Sequence, residues 1–320
     1  MEREADWLKL EVLLDRALTR SAKALSSDEL VELPRAYRST LSALSVARAT
    51  SLDKELIAYL ESLCTRAYFF IYGTRSTFWE KVSAFFSRDW PRAVHSIWRE
   101  TLASAMITFV SMFAAFMLTQ SDPDWFYSFM PAELAGDRTP ASSTESLRAG
   151  LYEQGEEGGL SVFSAFLFTH NAGIAIFAFA LGFAFCVPTV LLLAYNGTVL
   201  GAFVALYAGR GLGFEVGGWL LIHGVTEIFA IILAGAAGLK IGWSIVSPGM
   251  ASRLSAAADA GKSASLVLAG VVVMLAIAGL LEGFGRQLIT DNVVRYVIAV
   301  TSACIWGAYF YGAHFRWGRR

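Results

Sequence analysis

Charge is scarce in this chain. Only 17% of its 320 residues are Asp, Glu, Lys or Arg, against about 25% in an ordinary soluble domain. Residues 171–209, 39 in a row, carry no charged side chain. Neither sign dominates, and a net charge of −1 excludes the basic field by which a protein holds nucleic acid. Cysteine is rarer still. Cys64, Cys186 and Cys304 stand far apart without metal-ligand spacing, which argues against a disulfide framework and for buried or lipid-facing thiols. The start, MEREADWLKLEVLLDRALTR, lacks the apolar core of a signal peptide, so insertion falls to the first apolar span. Catalytic signatures are missing as well. HGVTE has no second His at zincin spacing, no GxSxG elbow occurs, and no glycine loop with a lysine is present to cradle phosphate. The expectation is a protein that is not an enzyme, with no catalytic residues, no bound metal and no cofactor.

Apolar residues fill the space that charge leaves. They make up 55% of the chain, mean hydropathy is +0.51, and they gather in runs suited to a bilayer core of about 30 Å, which takes about 20 helical residues. The fold class is therefore all-α, a polytopic membrane helix bundle. Residues 1–100 read as a cytoplasmic helical region, and residues 101–315 as the transmembrane bundle with an acidic external loop at 120–159. In the first region SSDELVEL offers Ser27 or Asp28 as an N-cap, and LDKELIAYLESLCTRAYFFIYG keeps helical spacing up to Gly73. That region ends in an aromatic stripe of Phe78, Trp79, Phe85, Phe86 and Trp90, interleaved with Arg75, Lys81 and Arg88. Such a face fits a helix lying at the membrane surface. Packing against the N-terminal helices is the alternative.

Six spans are expected: Thr101 to Thr119, Asn171 to Ala194, Thr198 to Gly209, about Val216 to Leu239, Ser265 to Phe284, and Val293 to Ala313. YNGT, Tyr195–Thr198, is read as a turn between the second and third, with Pro188 kinking the second. Five spans result if Thr198–Gly209 is re-entrant. Residues 66–100 hold six basic residues, whereas the loop at 120–159 holds two basic and eight acidic ones. Positive charge favours the cytoplasm, so both termini are placed there, in a multi-pass protein of the cytoplasmic membrane. Crossing by Thr198–Gly209 also brings Lys240, Arg253, Lys262 and the RWGRR tail to that side. The Gly- and Ser-bearing stretch GDRTPASSTES is expected to make part of the loop mobile.

Polar groups at membrane depth are expensive and tend to face protein or a watery cavity. His170, Asn171, Asn196, His223 and Glu227 are the candidates for an intramembrane network. His223 and Glu227 lie one helical turn apart on one face, each able to stabilise the other. Three readings stand: a clasp between helices, a proton or substrate relay, and a metal or hydrolytic centre. Glu282, near a span end, reads as an ordinary pair with Arg286 one turn on. Gly197, Gly201, Gly224, Gly235 and Gly238 suit close helix packing, within one chain or between copies in a homo-oligomer.

HNAGIAIFAFALGFAFCVPTVLLLAYNGTVLGAFVA followed by IHGVTEIFAIILAGAAGLKIG resembles the stage II sporulation protein M family. The matching positions are Asn171, Gly182, Pro188, Asn196, Gly197, Gly201, His223, Gly224, Glu227, Gly235 and Gly238. FWEKVSAFFSRDWPRAVHSIWRE also resembles the segment before that family's first span, so the likeness covers roughly residues 75 to 245. The resemblance implies a membrane partner of peptidoglycan-degrading proteins that is not itself the hydrolase. The long N-terminal region is similar to the broader relatives outside sporulation. A likeness of the family to ABC-2 permeases implies, alternatively, a permease-like subunit with an ATPase partner and a polar path through His223 and Glu227. No catalytic residues carry over. The leading expectation is a membrane anchor or scaffold for protein partners in cell-envelope processes, with the lipid bilayer as its surroundings and no nucleic acid.

Overall fold

The computed structural model describes residues 2–20, 25–50, 53–72, 77–152, 159–285 and 288–312. Gly73, Arg75, Arg286, Ala313 and the RWGRR tail lie outside them. Among the described residues there is no strand, and the chain divides into two compact units, Met1–Lys81 and Val82–Arg320. The division falls within the aromatic segment, earlier than the boundary expected near residue 100.

The N-terminal unit is built from α1 (Glu2–Arg20), α2 (Ser27–Ala49) and α3 (Lys54–Tyr72). Apolar residues at helical spacing, among them Leu10, Leu14, Leu33, Leu60, Leu63 and Ala67, meet in its own core. α2 opens one residue earlier than expected, on a capping box. The Ser26 amide donates to Glu29 Oε2 at 2.8 Å, and the Glu29 amide donates to Ser26 Oγ at 3.3 Å. Cross-helix ion pairs such as Lys9–Glu32 (3.0 Å) and Arg48–Glu61 (2.6 Å) ring the core. Being exposed, each contributes no more than about 1 kcal/mol.

Past α4 (Phe78–Ala84) and a π-helical turn at Phe85–Asp89, α5 (Trp90–Ser96) leads into α6 (Trp98–Ser121). A cap of short helices follows: α7 (Trp125–Phe129), α8 (Ala132–Ala135) and α9 (Thr144–Tyr152). The rest of the bundle is α10 (Gly159–Ala180), α11 (Val187–Ala208), α12 (Gly213–Val246), α13 (Arg253–Leu280) and α14 (Asn292–Tyr311). Five of these, α6, α11, α12, α13 and α14, are long and apolar enough to cross a membrane. The sixth, α10, has 22 residues, and its described apolar side chains run on through Phe183. α12 is the axis. Two thirds (67%) of its most apolar window is buried, against 17–39% in the other four. Its 34 residues span about 51 Å, so it extends beyond a 30 Å hydrocarbon core.

The break between the second and third spans is not at YNGT. Tyr195–Thr198 lies inside α11, and the chain turns at Leu181–Cys186, through a 3-10 turn and two non-glycine residues with left-handed backbone, Phe185 (φ 59°) and Cys186 (φ 68°). Pro188 sits in the first turn of α11, where its missing N–H costs nothing, so it opens a helix instead of kinking one. An Asn-Gly pair inside the bilayer would leave backbone groups unsatisfied if it turned. Gly197 and Gly201 instead let α11 touch the backbone of α6 at Thr108 and Met112.

The ends of the bundle are marked by two contacts. Arg210, in the α11–α12 turn, donates to the Pro140 carbonyl of the cap at 2.6 Å, whereas Lys240, far along α12, pairs with Glu100 at the start of α6 at 3.1 Å. The residues read as Thr198–Gly209 therefore belong to a helix that passes from one end to the other. The loop expected to be partly mobile is a packed cap up to Tyr152: Phe126, Leu147 and Leu151 are buried against Tyr207, Leu212 and Val216. Glu153, Glu156 and Glu157 lie outside the described residues.

Trp90 is not at the surface. It is 2% exposed, stacked on Phe85 with ring centroids 5.7 Å apart and set edge-on to Phe310 at 5.1 Å. Its indole fills the place a side chain at Gly270 would occupy. It belongs to the bundle core because α5 packs on α13 and α14. Phe85 is partly buried against the same core, and Phe86 keeps an exposed edge. Phe78 and Trp79 are 71% and 75% exposed.

Candidate functional site

Inside the cap end of the bundle lies a cavity of about 180 Å³. Three helices and a turn supply its polar wall. α10 brings His170 and Asn171, α11 brings Asn196, and α12 brings His223 and Glu227. The turn after α13 brings Glu282. Met130, Glu133, Leu134 and Arg138 of the cap line the mouth. All five candidates for the polar network thus come to one place.

Their geometry is specific. Asn171 Nδ2 donates to Glu227 Oε1 at 2.5 Å, tying α10 to α12. His223 is 5% exposed, and the ring of Trp219, one turn earlier, stands edge-on to it at 6.2 Å. One donor atom each from His223, Glu227 and Glu282 lie within 4.8 Å of one another. At the mouth the Arg138 guanidinium donates to the Ala135 and Leu134 carbonyls, both at 3.3 Å, and rests 5.8 Å from the Phe203 ring.

Glu282 was expected to pair with Arg286 near a span end. It is 1% exposed and faces the cavity, while its expected partner Arg286 is outside the described residues. Helical counting leads there: Val271, Leu275 and Ala278 are buried on α13, and Glu282 follows Ala278 by one turn on the same face. The spacing of Val271, Leu275, Ala278 and Glu282 was the available signal.

The glycines divide into two groups. Gly197, Gly201, Gly235 and Gly238 sit where a side chain would collide with a neighbouring helix: α6 for the first two, Leu193 and Ser104 for Gly235, Ala178 of α10 for Gly238. Gly224 does not. A methyl group there would meet only Leu220 and Ile228 of its own helix, no closer than 3.6 Å. Gly224 lines the cavity instead, and its small size keeps that space open.

Residues 103–285, which hold five of the six apolar helices and every polar residue lining the cavity, match the sequence model of stage II sporulation protein M. The chain belongs to the stage II sporulation protein M family. A second match, to a domain of unknown function (DUF8413), covers residues 1–73, close to the limits of the N-terminal unit. The aromatic segment between them falls in neither match. No curated protein and no solved structure matches the chain. It is a multi-pass membrane protein of this family.

Beyond the cavity the bundle closes. Ala234, Gly235, Gly238 and Gly242 of α12 are buried, and their backbone lies against α10, α6 and the Leu181–Cys186 turn. Toward the Glu100–Lys240 end, the described part of α12 runs on as small buried residues packed on its neighbours.

Proposed function

We propose that the protein is a non-enzymatic anchor in the cytoplasmic membrane, whose N-terminal unit receives a protein partner. What supports this reading is the combination of close helix packing along α12 below the cavity with a separate helical unit that keeps apolar side chains exposed. Leu8 and Val12 of α1 and Leu30 and Val31 of α2 are all exposed. Leu8 and Val12, with Leu13, form the apolar part of a groove of about 490 Å³, bordered by Lys9, Arg16, Asp28, Glu29 and Glu32. An apolar strip edged by both charge signs suits an amphipathic helix of a partner. We place this unit and the Glu100–Lys240 end in the cytoplasm, on the surplus of basic residues before the first span. The family's namesake, a partner of envelope proteins, supports a role in cell-envelope processes.

A permease-like subunit is the second reading, favoured by one observation: the titratable groups His223, Glu227 and Glu282 line a cavity at membrane depth. Proteoliposomes separate the two. An anchor leaves proton and cation flux at the level of empty vesicles. A flux present with the native chain and abolished in a folded Glu227→Gln protein would overturn the anchor reading.

A further inference from the structure

We propose that His223, Glu227 and Glu282 bind one divalent first-row transition-metal ion, reached from the cap end of the bundle. The donors are one imidazole nitrogen and two carboxylate oxygens, all within 4.8 Å of one another. Around an ion with bonds of about 2.0–2.2 Å, donors stand roughly 3.4 Å apart. Closing the difference takes movements of about an ångström at the tips of two glutamates and a histidine, side chains with two or three free torsions. No thiolate is in the set, so the site suits manganese, iron, cobalt or zinc and not a soft cation.

Three further features point to the same occupant. Asn171 holds Glu227 Oε1 by its amide, which fixes the carboxylate plane and leaves Oε2 for a ligand; such outer hydrogen bonds commonly orient metal ligands. The cavity of about 180 Å³ leaves room for the ion and its remaining waters. Its mouth carries the exposed Glu133, in a segment (residues 120–159) with eight acidic and two basic residues, a field that draws cations inward. Arg138, the basic group at the mouth, is directed to the Ala135 and Leu134 carbonyls. Bound in the cavity, the ion clips α12 to the turn after α13.

The test uses the full chain in lipid nanodiscs, stripped with EDTA and equilibrated with buffered Co²⁺, Mn²⁺ or Zn²⁺. Expected are bound metal equal to the chain concentration, a visible ligand-field band with Co²⁺, and a higher thermal midpoint with metal than with EDTA. His223→Ala and Glu282→Gln lose the metal, Asn171→Ala weakens it roughly ten- to a hundredfold, and Glu145→Gln, exposed on α9, keeps it. If His223→Ala does not fold, Glu282→Gln and the native chain's cobalt spectrum decide. A folded native chain that holds no more metal than these variants, shows no cobalt band and melts identically with EDTA overturns the proposal. In that outcome the cluster is a proton-sharing clasp.

Discussion

Asn171 on α10 and Glu227 on α12 meet through a single hydrogen bond, Nδ2 to Oε1, at 2.5 Å. It joins the second apolar helix to the bundle axis at the cavity wall. Hydrogen bonds between membrane helices contribute about 0.6–2 kcal/mol. Asn171→Ala is therefore expected to lower unfolding free energy by about 1 kcal/mol in detergent denaturation. Asn171→Asp, which puts a second carboxylate against Glu227, should cost more. Equal stability of all three proteins would contradict the clasp.

The two kinds of glycine should respond differently to the same added methyl groups. Gly201 touches the Met112 backbone of α6, and Gly238 touches Ala178 of α10. Gly201→Ala or Gly238→Ala must push helices apart, at a cost of about 1–3 kcal/mol. Gly224→Ala has room at 3.6 Å and should leave folding intact while narrowing the cavity. Size-exclusion profiles and thermal midpoints of the three variants check this ordering.

Lys240 and Glu100 fix the relation of α12 to α6 at one end, and Arg210 with Pro140 marks the other. Single cysteines at Ser142 and Lys262 should react with an impermeant maleimide from opposite sides of the membrane. Labelling of both from the same side would refute the alternating passage of α11, α12 and α13. The ion pair itself is partly exposed, so a Glu100–Lys240 double-mutant cycle should return only about 0.5 kcal/mol.

The N-terminal unit should show an alkaline limit of its own. Tyr59 donates its hydroxyl to Glu11 Oε2 at 2.8 Å, and burial together with that carboxylate pushes its phenol up to about 12. A group raised in the folded state contributes stability that is complete below its unfolded value, 10.0, and is lost as pH rises toward about 12. Circular-dichroism melts of the full chain should fall over that window, and less steeply in Tyr59→Phe. At the acid side Glu29 behaves oppositely. The Ser26 amide, then Arg16, holds its carboxyl below the ordinary range, so its stabilisation is lost only as pH falls through that lowered value.

Much of this architecture is visible in residue spacing, and the parts that are not have physical causes. Hydropathy runs mark the apolar helices because the bilayer imposes their length. His223 and Glu227 share a face by simple helical counting, and Asn171 was already a candidate partner for them. The break at Leu181–Cys186 escapes local turn chemistry, since YNGT reads as a turn and two left-handed non-glycine residues do not. Glu282 lies on the face that buried Val271, Leu275 and Ala278 mark, but its place near a span end pointed to Arg286 instead. Trp90 looks like a surface aromatic until Gly270, 180 residues away in sequence, is seen to leave the space for it. Gly224 has the spacing of a packing residue, and only the absence of a neighbouring helix at its Cα position shows that it serves the cavity.

The most direct test of the anchor reading is crosslinking from native membranes, comparing the native chain with two variants that separate groove from cavity. Leu8→Glu with Val12→Glu places charge in the α1–α2 groove, and Glu227→Gln alters the cavity alone. The expected result is one crosslinked partner with the native chain, kept by folded Glu227→Gln and lost by the groove variant. A partner lost with Glu227→Gln and kept by the groove variant would contradict the anchor and move the function into the membrane.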